Sequence, residues 1–286
     1  MRRPTSATAE TGRWQHAQRA GRRWAAWGVV LGTLAGLTLN APAQWLAEAM
    51  RQASGDRLLL AEARGSLWDG SAVLVLTGGV GSRDASVLPG RMTWQLRPDW
   101  RGLRLSARQD CCIKDGLQLN WQPGWSGFTL RLAALGPADA AGQAVIGRWP
   151  AAWLAGLGTP WNTLQLGGKL QLASPGLGLQ SVQGRLRLDG ALALELQAVS
   201  SRLSSLTALG SYRLSLKSQG TAGDAASLQL ETLDGALRLS GTGQWTAAGL
   251  RFRGQAQAAE GQEAALSNLL NIIGRRQGAL SVISIG

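Results

Sequence analysis

The side chains that most often carry chemistry are few in this sequence and poorly placed for it. There is one histidine, His16, and it precedes the first apolar run. Imidazole catalysis in the main body is thereby excluded: no Ser-His-Asp triad, Cys-His pair or His-ligated zinc can assemble there. Two cysteines, Cys111 and Cys112, are too few for a four-thiolate metal site or a disulfide framework. Being adjacent, they can pair only by closing a small, strained ring in an oxidising compartment. They read as local structure, a vicinal bond or two thiols at a strand edge, with a redox switch as the lesser alternative. Asp110, Lys114 and Asp115 flank them, without the histidine that would suggest a metal site. Asp99, Asp110 and Asp115 each neighbour a turn signal, where Asp is common, and no carboxylate pair suggests glycosidase chemistry. Gly78-Gly79 and Gly167-Gly168 lie in strand-like segments with no helix following. They read as bulges or close sheet contacts, not phosphate loops. Trp94, Trp100, Trp121 and Trp125 are of a type that stacks on sugars or lipid, but core or sheet-face packing is the commoner role. No catalytic, cofactor-binding or metal-binding residue is assigned; no enzymatic activity and no cofactor are expected.

These residues sit in a chain of 286 residues, enough for one large domain or two modest ones. With 45% hydrophobic and 16% charged residues it is not a disordered chain. Thirty-nine glycines and 13 tryptophans, against two Phe and one Tyr, suggest many tight turns between short strands. The formal net charge is +12, almost all of it from arginine. Arg185, Arg187, Arg213, Arg238, Arg251 and Arg253 are spread singly along strand-like segments. That pattern fits the solvated outer face of a sheet, whereas a nucleic-acid reader would cluster its cations among aromatics.

Residues 1–23 carry six arginines against Glu10 alone, and 24–47 carry no charge. The apolar run, with Trp24, Trp27, Val29, Leu31, Leu34, Leu37, Leu39 and Trp45, is long enough to cross a hydrocarbon core as a helix. Its tryptophans fall near the two ends, where indoles prefer the headgroup layer, and the arginines place the N-terminus on the cytoplasmic side. Ala41-Pro42-Ala43 has the look of a signal-peptide cleavage site. The long basic leader, the apolar Trp45-Leu46 beyond it, and Pro42 in the first turn of a helix continuing to about Ala53 favour an uncleaved anchor. The expected organisation is a cytoplasmic leader (1–23), a transmembrane helix (24–47), a juxtamembrane helix or linker (48–57) and an exported β-rich domain (58–286) in a Gram-negative cell.

Strict alternation dominates that domain. It appears in Met92–Arg97, Leu103–Leu105, Leu117–Trp121, Phe128–Leu132, Leu164–Leu166, Leu170–Leu172, Leu186–Leu188, Leu192–Leu196, Tyr212–Leu216, Leu228–Leu230 and Leu237–Leu239. Each segment has a Leu/Trp face and an Arg/Gln/Ser face, as in an antiparallel sheet buried on one side. Asp-Gly pairs at 115–116, 189–190 and 234–235 predict hairpin turns. A two-residue turn at 234–235 pairs Leu230 with Leu239. A three-residue loop at 189–191 pairs Leu188 with Leu192 and keeps the leucines on one face. Leu-Asp-Gly-Ala-Leu-x-Leu at 188–194 and 233–239 suggests a layered meander. Helices are predicted over 147–157, from the spacing of Trp149, Trp153, Leu154 and Leu157, and over 261–276, from Leu266, Leu269, Leu270, Ile272 and Ile273. Residues 280–285 form a last strand. The fold expected is mainly β: a twisted antiparallel sheet (open, half-barrel or jelly-roll-like) whose apolar concave face is partly plugged by two short helices.

The order of elements resembles the type II secretion system protein N family. The likeness rests on the span running into Ala41-Pro42-Ala43-Gln44-Trp45-Leu46, and on Gly65-Ser66-Leu67-Trp68-Asp69-Gly70 before the alternating body. It is completed by the end block Gly241-Thr242-Gly243-Gln244-Trp245 with Gly249-Leu250-Arg251-Phe252-Arg253-Gly254, leading to Leu269-Leu270-Asn271-Ile272-Ile273-Gly274-Arg275-Arg276. The resemblance implies a bitopic, non-enzymatic accessory component of the machine that exports folded periplasmic proteins, with the other inner-membrane and periplasmic subunits as partners. It brings no catalytic residues; Gly65, Leu67, Trp68, Gly70, Gly241, Trp245, Gly254, Leu270 and Gly274 are its structural marks. The rival reading is an AsmA-like envelope module that holds lipid in an apolar groove. No nucleic acid and no small-molecule substrate other than lipid is expected.

Overall fold

The computed structural model describes residue 25 and residues 27–140, 142–182, 185–219, 225–246 and 249–286. The chain divides into two compact units, Met1–Pro42 and Ala43–Gly286.

In the first unit residues 27–39 form helix α1. Trp27, Val29, Leu31, Leu34, Leu37 and Leu39 are all exposed on it. Trp24 and the basic leader lie outside the described residues. The helix expected over 24–47 is not continuous. Asn40 closes α1 by donating its side-chain amide to the Gly36 carbonyl (2.9 Å), and helix resumes only at Ala43. Pro42 accounts for the break: it has no N–H to donate and disfavours helical backbone in the residue before it. Among the described residues no helix is long and apolar enough to cross a membrane.

The second unit begins with α2 (Ala43–Ala53), followed by β1 (Leu58–Gly65), β2 (Asp69–Thr77), β3 (Ala85–Val87), β4 (Met92–Asp99), β5 (Gly102–Gln109), β6 (Ile113–Gly124) and β7 (Gly127–Ala134). Then come β8 (Ala144–Pro150), a 3₁₀ turn (Ala151–Leu157), α3 (Trp161–Leu164), and the long strands β9 (Gly167–Val182) and β10 (Arg185–Ser200). The chain ends with β11 (Gly210–Gln219), β12 (Ala226–Gly235), β13 (Leu237–Thr246), β14 (Gly249–Ala258), α4 (Glu263–Ile273), β15 (Arg275–Gln277) and β16 (Leu280–Ile285). All strands belong to one 16-stranded open sheet running from β1 to β15, so of the shapes expected the jelly roll is excluded. β3 and β4 share β2 as a neighbour, and β7 and β8 share β9.

The alternation becomes rungs of leucine. One reads Leu172, Leu194, Leu214, Leu230 across β9 to β12. Another reads Leu105, Leu119, Leu132, Leu177 across β5, β6, β7 and β9. In β9 the leucines switch from even positions (Leu170, Leu172) to odd ones (Leu177, Leu179). The register shift opposite Ala191–Ala193 absorbs the extra residue, so both sets stay on one face. The polar face carries its own row: Arg213 bridges Glu195 (2.8 Å) and Glu231 (3.4 Å) on the strands either side.

The Asp-Gly turns are corrected. Asp115-Gly116 lies inside β6 and Asp189-Gly190 inside β10. The β9–β10 hairpin instead closes between Val182 and Arg185, and Leu188 faces Leu179. Gly190 is needed for close approach rather than a turn: it has φ +110°, and a side chain there would strike the Gly176 carbonyl. Asp234-Gly235 pairs with β11, and Leu230 faces Gly241 instead of Leu239. That is a slip of two residues, so the common leucine face survives. The helix expected over 147–157 is a strand as far as Pro150, because Trp149 sits opposite Leu170 in the ladder; only Ala151–Leu157 turns. Leu164-Gln165-Leu166 leaves α3 through a left-handed Gln165, φ 43°, and is not strand. α4 lies within the predicted 261–276, but Arg275 and Arg276 begin β15 rather than ending the helix.

Two cores fill the apolar face. Beside β1, β2 and β4, Leu46, Ala47 and Met50 of α2 pack with Leu60, Leu74, Leu88 and Trp94. Beside β9 to β14, α4 inserts Leu266, Leu269 and Leu270 against Leu170, Val199, Tyr212, Leu237 and Ala256. Tyr212 donates its hydroxyl to the Leu237 carbonyl (2.9 Å), and burial raises its phenol above the ordinary tyrosine range. Tyr212→Phe should cost about 1–2 kcal/mol in chemical unfolding, because it leaves a buried carbonyl short of its donor. The neutral phenol is favoured in the folded state, so its contribution is whole below about pH 10 and declines above that.

On the outer side of α2, Arg51 grips the Glu48 carboxylate at 2.7 Å. With help from Gln52 this lowers the Glu48 pKa to about 2. The charged form is favoured in the folded state. Its contribution is therefore present above about pH 4 and fades as pH falls through about 2. A carboxyl titration followed by NMR should place the Glu48 midpoint near 2; an ordinary glutamate midpoint would contradict the grip.

Candidate functional site

The glycine-bearing blocks singled out in the sequence prove to be seats for aromatic rings. Gly65 and Gly70 face each other across the β1–β2 hairpin, with Gly65 at φ +87°. The loop between them is held by Ser66 N–H donating to the Asp69 carbonyl (2.8 Å). A Cβ on Gly70 would lie 2.5 Å from the Trp94 ring. The bare backbone lets that indole lie flat on the hairpin, 1% exposed. Trp94 Nε1 then donates to the Leu67 carbonyl (3.2 Å), and Leu96 N–H donates to the Trp68 carbonyl (2.7 Å). The motif thus bolts the β1–β2 tip onto β4.

The end block repeats the device. Gly241 faces Gly254 and Gly243 faces Phe252 on the β13–β14 ladder. A Cβ on Gly243 would meet the Phe252 ring at 3.0 Å and one on Gly254 at 2.9 Å; one on Gly241 would collide with it. Phe252, 7% exposed, fills the trough these glycines leave. Leu270 is buried in the α4 core and its carbonyl accepts the Ser281 hydroxyl. Gly274 passes so close to β16 that a Cβ would lie 2.6 Å from the Val282 carbonyl. Trp245 is exposed at the end of β13. The two blocks do not meet: the eight strands β4 to β7 and β9 to β12 lie between β2 and β13.

Cys111 and Cys112 form a vicinal disulfide in the β5–β6 turn, where Gln109 pairs with Ile113. Cys112 is buried, and its carbonyl accepts the Arg148 N–H of β8 (2.7 Å). Among the described residues no group of three or more His, Cys, Asp or Glu is gathered as a metal site. A shallow cleft of about 420 Å³ beside the 3₁₀ turn is lined by Asp84, Asn162, Gln165 and Arg202 among others. Asp84 there accepts a hydrogen bond from Asn162 (3.0 Å). A second cleft, about 520 Å³, lies over Glu231, Asp234 and Arg238.

The surfaces that remain are the sheet's rims, edges and uncovered apolar face. In an antiparallel meander successive tips alternate between two rims. The β1–β2, β4–β5, β6–β7, β9–β10 and β13–β14 tips share one; the disulfide turn and the β12–β13 turn lie on the other. The shared rim exposes Trp100 and Trp125 at hairpin tips, with Trp121 and Trp245 just below. Of the four tryptophans weighed in the sequence only Trp94 is core. Trp121 is a ladder residue of β6, paired with Leu103 and Leu130, while Trp100 and Trp125 stand out at hairpin tips, a placement announced only by their turn-like neighbours, Asp99-Trp100-Arg101-Gly102 and Gly124-Trp125-Ser126-Gly127. Below this rim Leu103, Trp121, Leu130, Leu179 and Leu188 form a rung across β5, β6, β7, β9 and β10 that belongs to neither core. Among the described residues the outer edge of β1 is unpaired within the sheet, as is that of β16 beyond Val282.

Taken together, the single-sided sheet, the helices plugging its cores and the glycine–aromatic seats define a structural β module. Residues 56–282 match the family description of type II secretion system (T2SS), protein N. The chain belongs to that family, whose members are accessory, generally non-catalytic secretion components, and this ties it to protein transport by the type II system and its envelope assembly. No curated protein and no solved structure matches it.

Proposed function

We propose that the protein is a non-enzymatic accessory subunit of the type II secretion machinery, held in the inner membrane by the apolar segment before α2, with its sheet in the periplasm. Family membership across residues 56–282, nearly the whole sheet, carries this reading. The six leader arginines argue for a cytoplasmic N-terminus, and the paired cysteines suit an oxidising compartment. Because α2 already packs on the sheet, the membrane segment lies within 24–42. The leader then occupies 1–23 and the periplasmic body starts with α2. Partner subunits dock on the unpaired edges of β1 and β16, where an added strand would find free backbone groups.

Photo-crosslinking residues at Leu59 and Ile285, in cells actively secreting, test the docking. Adducts with other secretion subunits are expected; clean monomer from both positions would refute it. One observation favours a second reading, a lipid-handling module: among the described residues the Leu103–Leu188 rung belongs to neither helix-plugged core. Mass spectrometry of the purified full chain would then show stoichiometric phospholipid, whereas the scaffold reading expects none.

A further inference from the structure

We infer that the tip rim of the sheet lies in the headgroup layer of an anionic phospholipid bilayer, with its tryptophans as the holding groups; this rests on the membrane-anchored reading above. Among the described residues of the second unit the exposed tryptophans are Trp45, Trp100, Trp121, Trp125 and Trp245. Four are at or next to hairpin tips of the same rim. Trp45 lies in the first turn of α2. That helix packs on β1 after a tight turn through Ser54 and Arg57, so it runs back along the strand and its N-terminus points toward the tip rim. Trp45, near that N-terminus, therefore lies toward the same rim as the hairpin-tip tryptophans. The opposite rim exposes Val80, Leu135 and Leu233 but no tryptophan, and Trp149, Trp153 and Trp161 are packed among the core residues.

The type and the spacing both select a bilayer. Indole combines a large apolar body with one N–H donor, which suits the boundary between acyl chain and headgroup. A protein partner would more often meet such residues gathered in one desolvated pocket. Here they stand singly along a rim on the order of 40 Å long, from the β4–β5 tip to the β13–β14 tip. Trp100 is 82% exposed, and Trp125 is wholly so. Cations accompany them. Arg101 lies 4.0 Å over the Trp100 ring, and Arg97 and Arg251 flank the tips. Of the acids on this rim, Asp99 is taken up by Arg104 (2.8 Å), and Asp69 at the β1–β2 tip accepts from the Gln95 side-chain amide (3.4 Å). A short line of indoles with arginines between them fits a flat, negatively charged headgroup surface.

The test uses the full-length chain in vesicles of equal parts zwitterionic and anionic phospholipid, with bromines near the headgroup end of the acyl chains as quenchers of tryptophan fluorescence. Wild type is compared with W24F/W27F, which silences the anchor, and with W100F/W125F/W245F, which silences the three tryptophans at and beside the hairpin tips and leaves Trp45 and Trp121. Circular dichroism checks that the fold is kept in each. The rim variant removes three of the seven tryptophans placed in the headgroup layer and should lose roughly two-fifths of the quenchable emission, and W24F/W27F should retain a quenched component. If the rim variant is quenched like wild type while the protein floats with the vesicles, the rim proposal is overturned and the anchor stands; tips held instead by a protein partner would give this result. If the chain does not float at all, both fail. Rim quenching that persists without any anchor contribution would support the rim and refute the anchor.

Discussion

Trp94→Ala should destabilise the protein by about 3–5 kcal/mol in denaturant unfolding, the range for truncating a fully buried large aromatic. Trp94 is 1% exposed and lies on the bare backbone of Gly70, so its removal takes away both the packing and the Nε1 bond to Leu67. The damage should be local at first. The β1–β2 tip loses its seat and α2 loses part of the core it shares with Trp94. Hydrogen exchange should therefore accelerate in β1 and β2 before it does in β13 and β14. The reciprocal change, Gly70→Ala, pushes a methyl to within 2.5 Å of the indole and 2.8 Å of the Ser66 carbonyl. Because the ring supplies much of that clash, the double variant should be less destabilised than the sum of the two singles. Strict additivity would show that Gly70 is not the seat of the ring.

Leu266→Asp should be more damaging still, above about 4 kcal/mol, because it places an unpaired carboxylate where burial is complete. Leu266 is 0% exposed and belongs to the buried cluster that includes Leu237 of β13 and Ala256 of β14. Leu266→Ala, which leaves only a cavity, should cost about 2–4 kcal/mol. The gap between the two variants isolates charge burial from lost packing. If both fall within a few tenths of wild type, α4 is not a plug of the sheet.

Most of the β architecture was legible because alternation is a direct consequence of strand geometry, and α4 because its leucines keep a helical period. The failures have physical causes. Trp149 and Trp153 are spaced as on a helix, yet the backbone of Trp149 pairs with Leu170; spacing alone does not reveal where hydrogen bonds go. Asp189-Gly190 carries a hairpin signal, but its glycine serves a close strand approach to Gly176. A glycine needed for φ and one needed for space look alike in a sequence. The same ambiguity hid why the motif glycines are there. Gly70, Gly241, Gly243 and Gly254 are explained by Trp94 and Phe252, and only the strand pairing brings those rings over them. The rim tryptophans were visible as residue types but not as a line, because Trp100, Trp125 and Trp245 meet on one rim only after the meander has been folded.

The most direct test of the scaffold's role is the distribution of a type II substrate between culture medium and periplasm in cells lacking this chain, with and without the full-length chain restored. The account predicts that the substrate accumulates in the periplasm without the chain and returns to the medium when it is supplied. Undiminished export of every type II substrate in its absence would contradict the account.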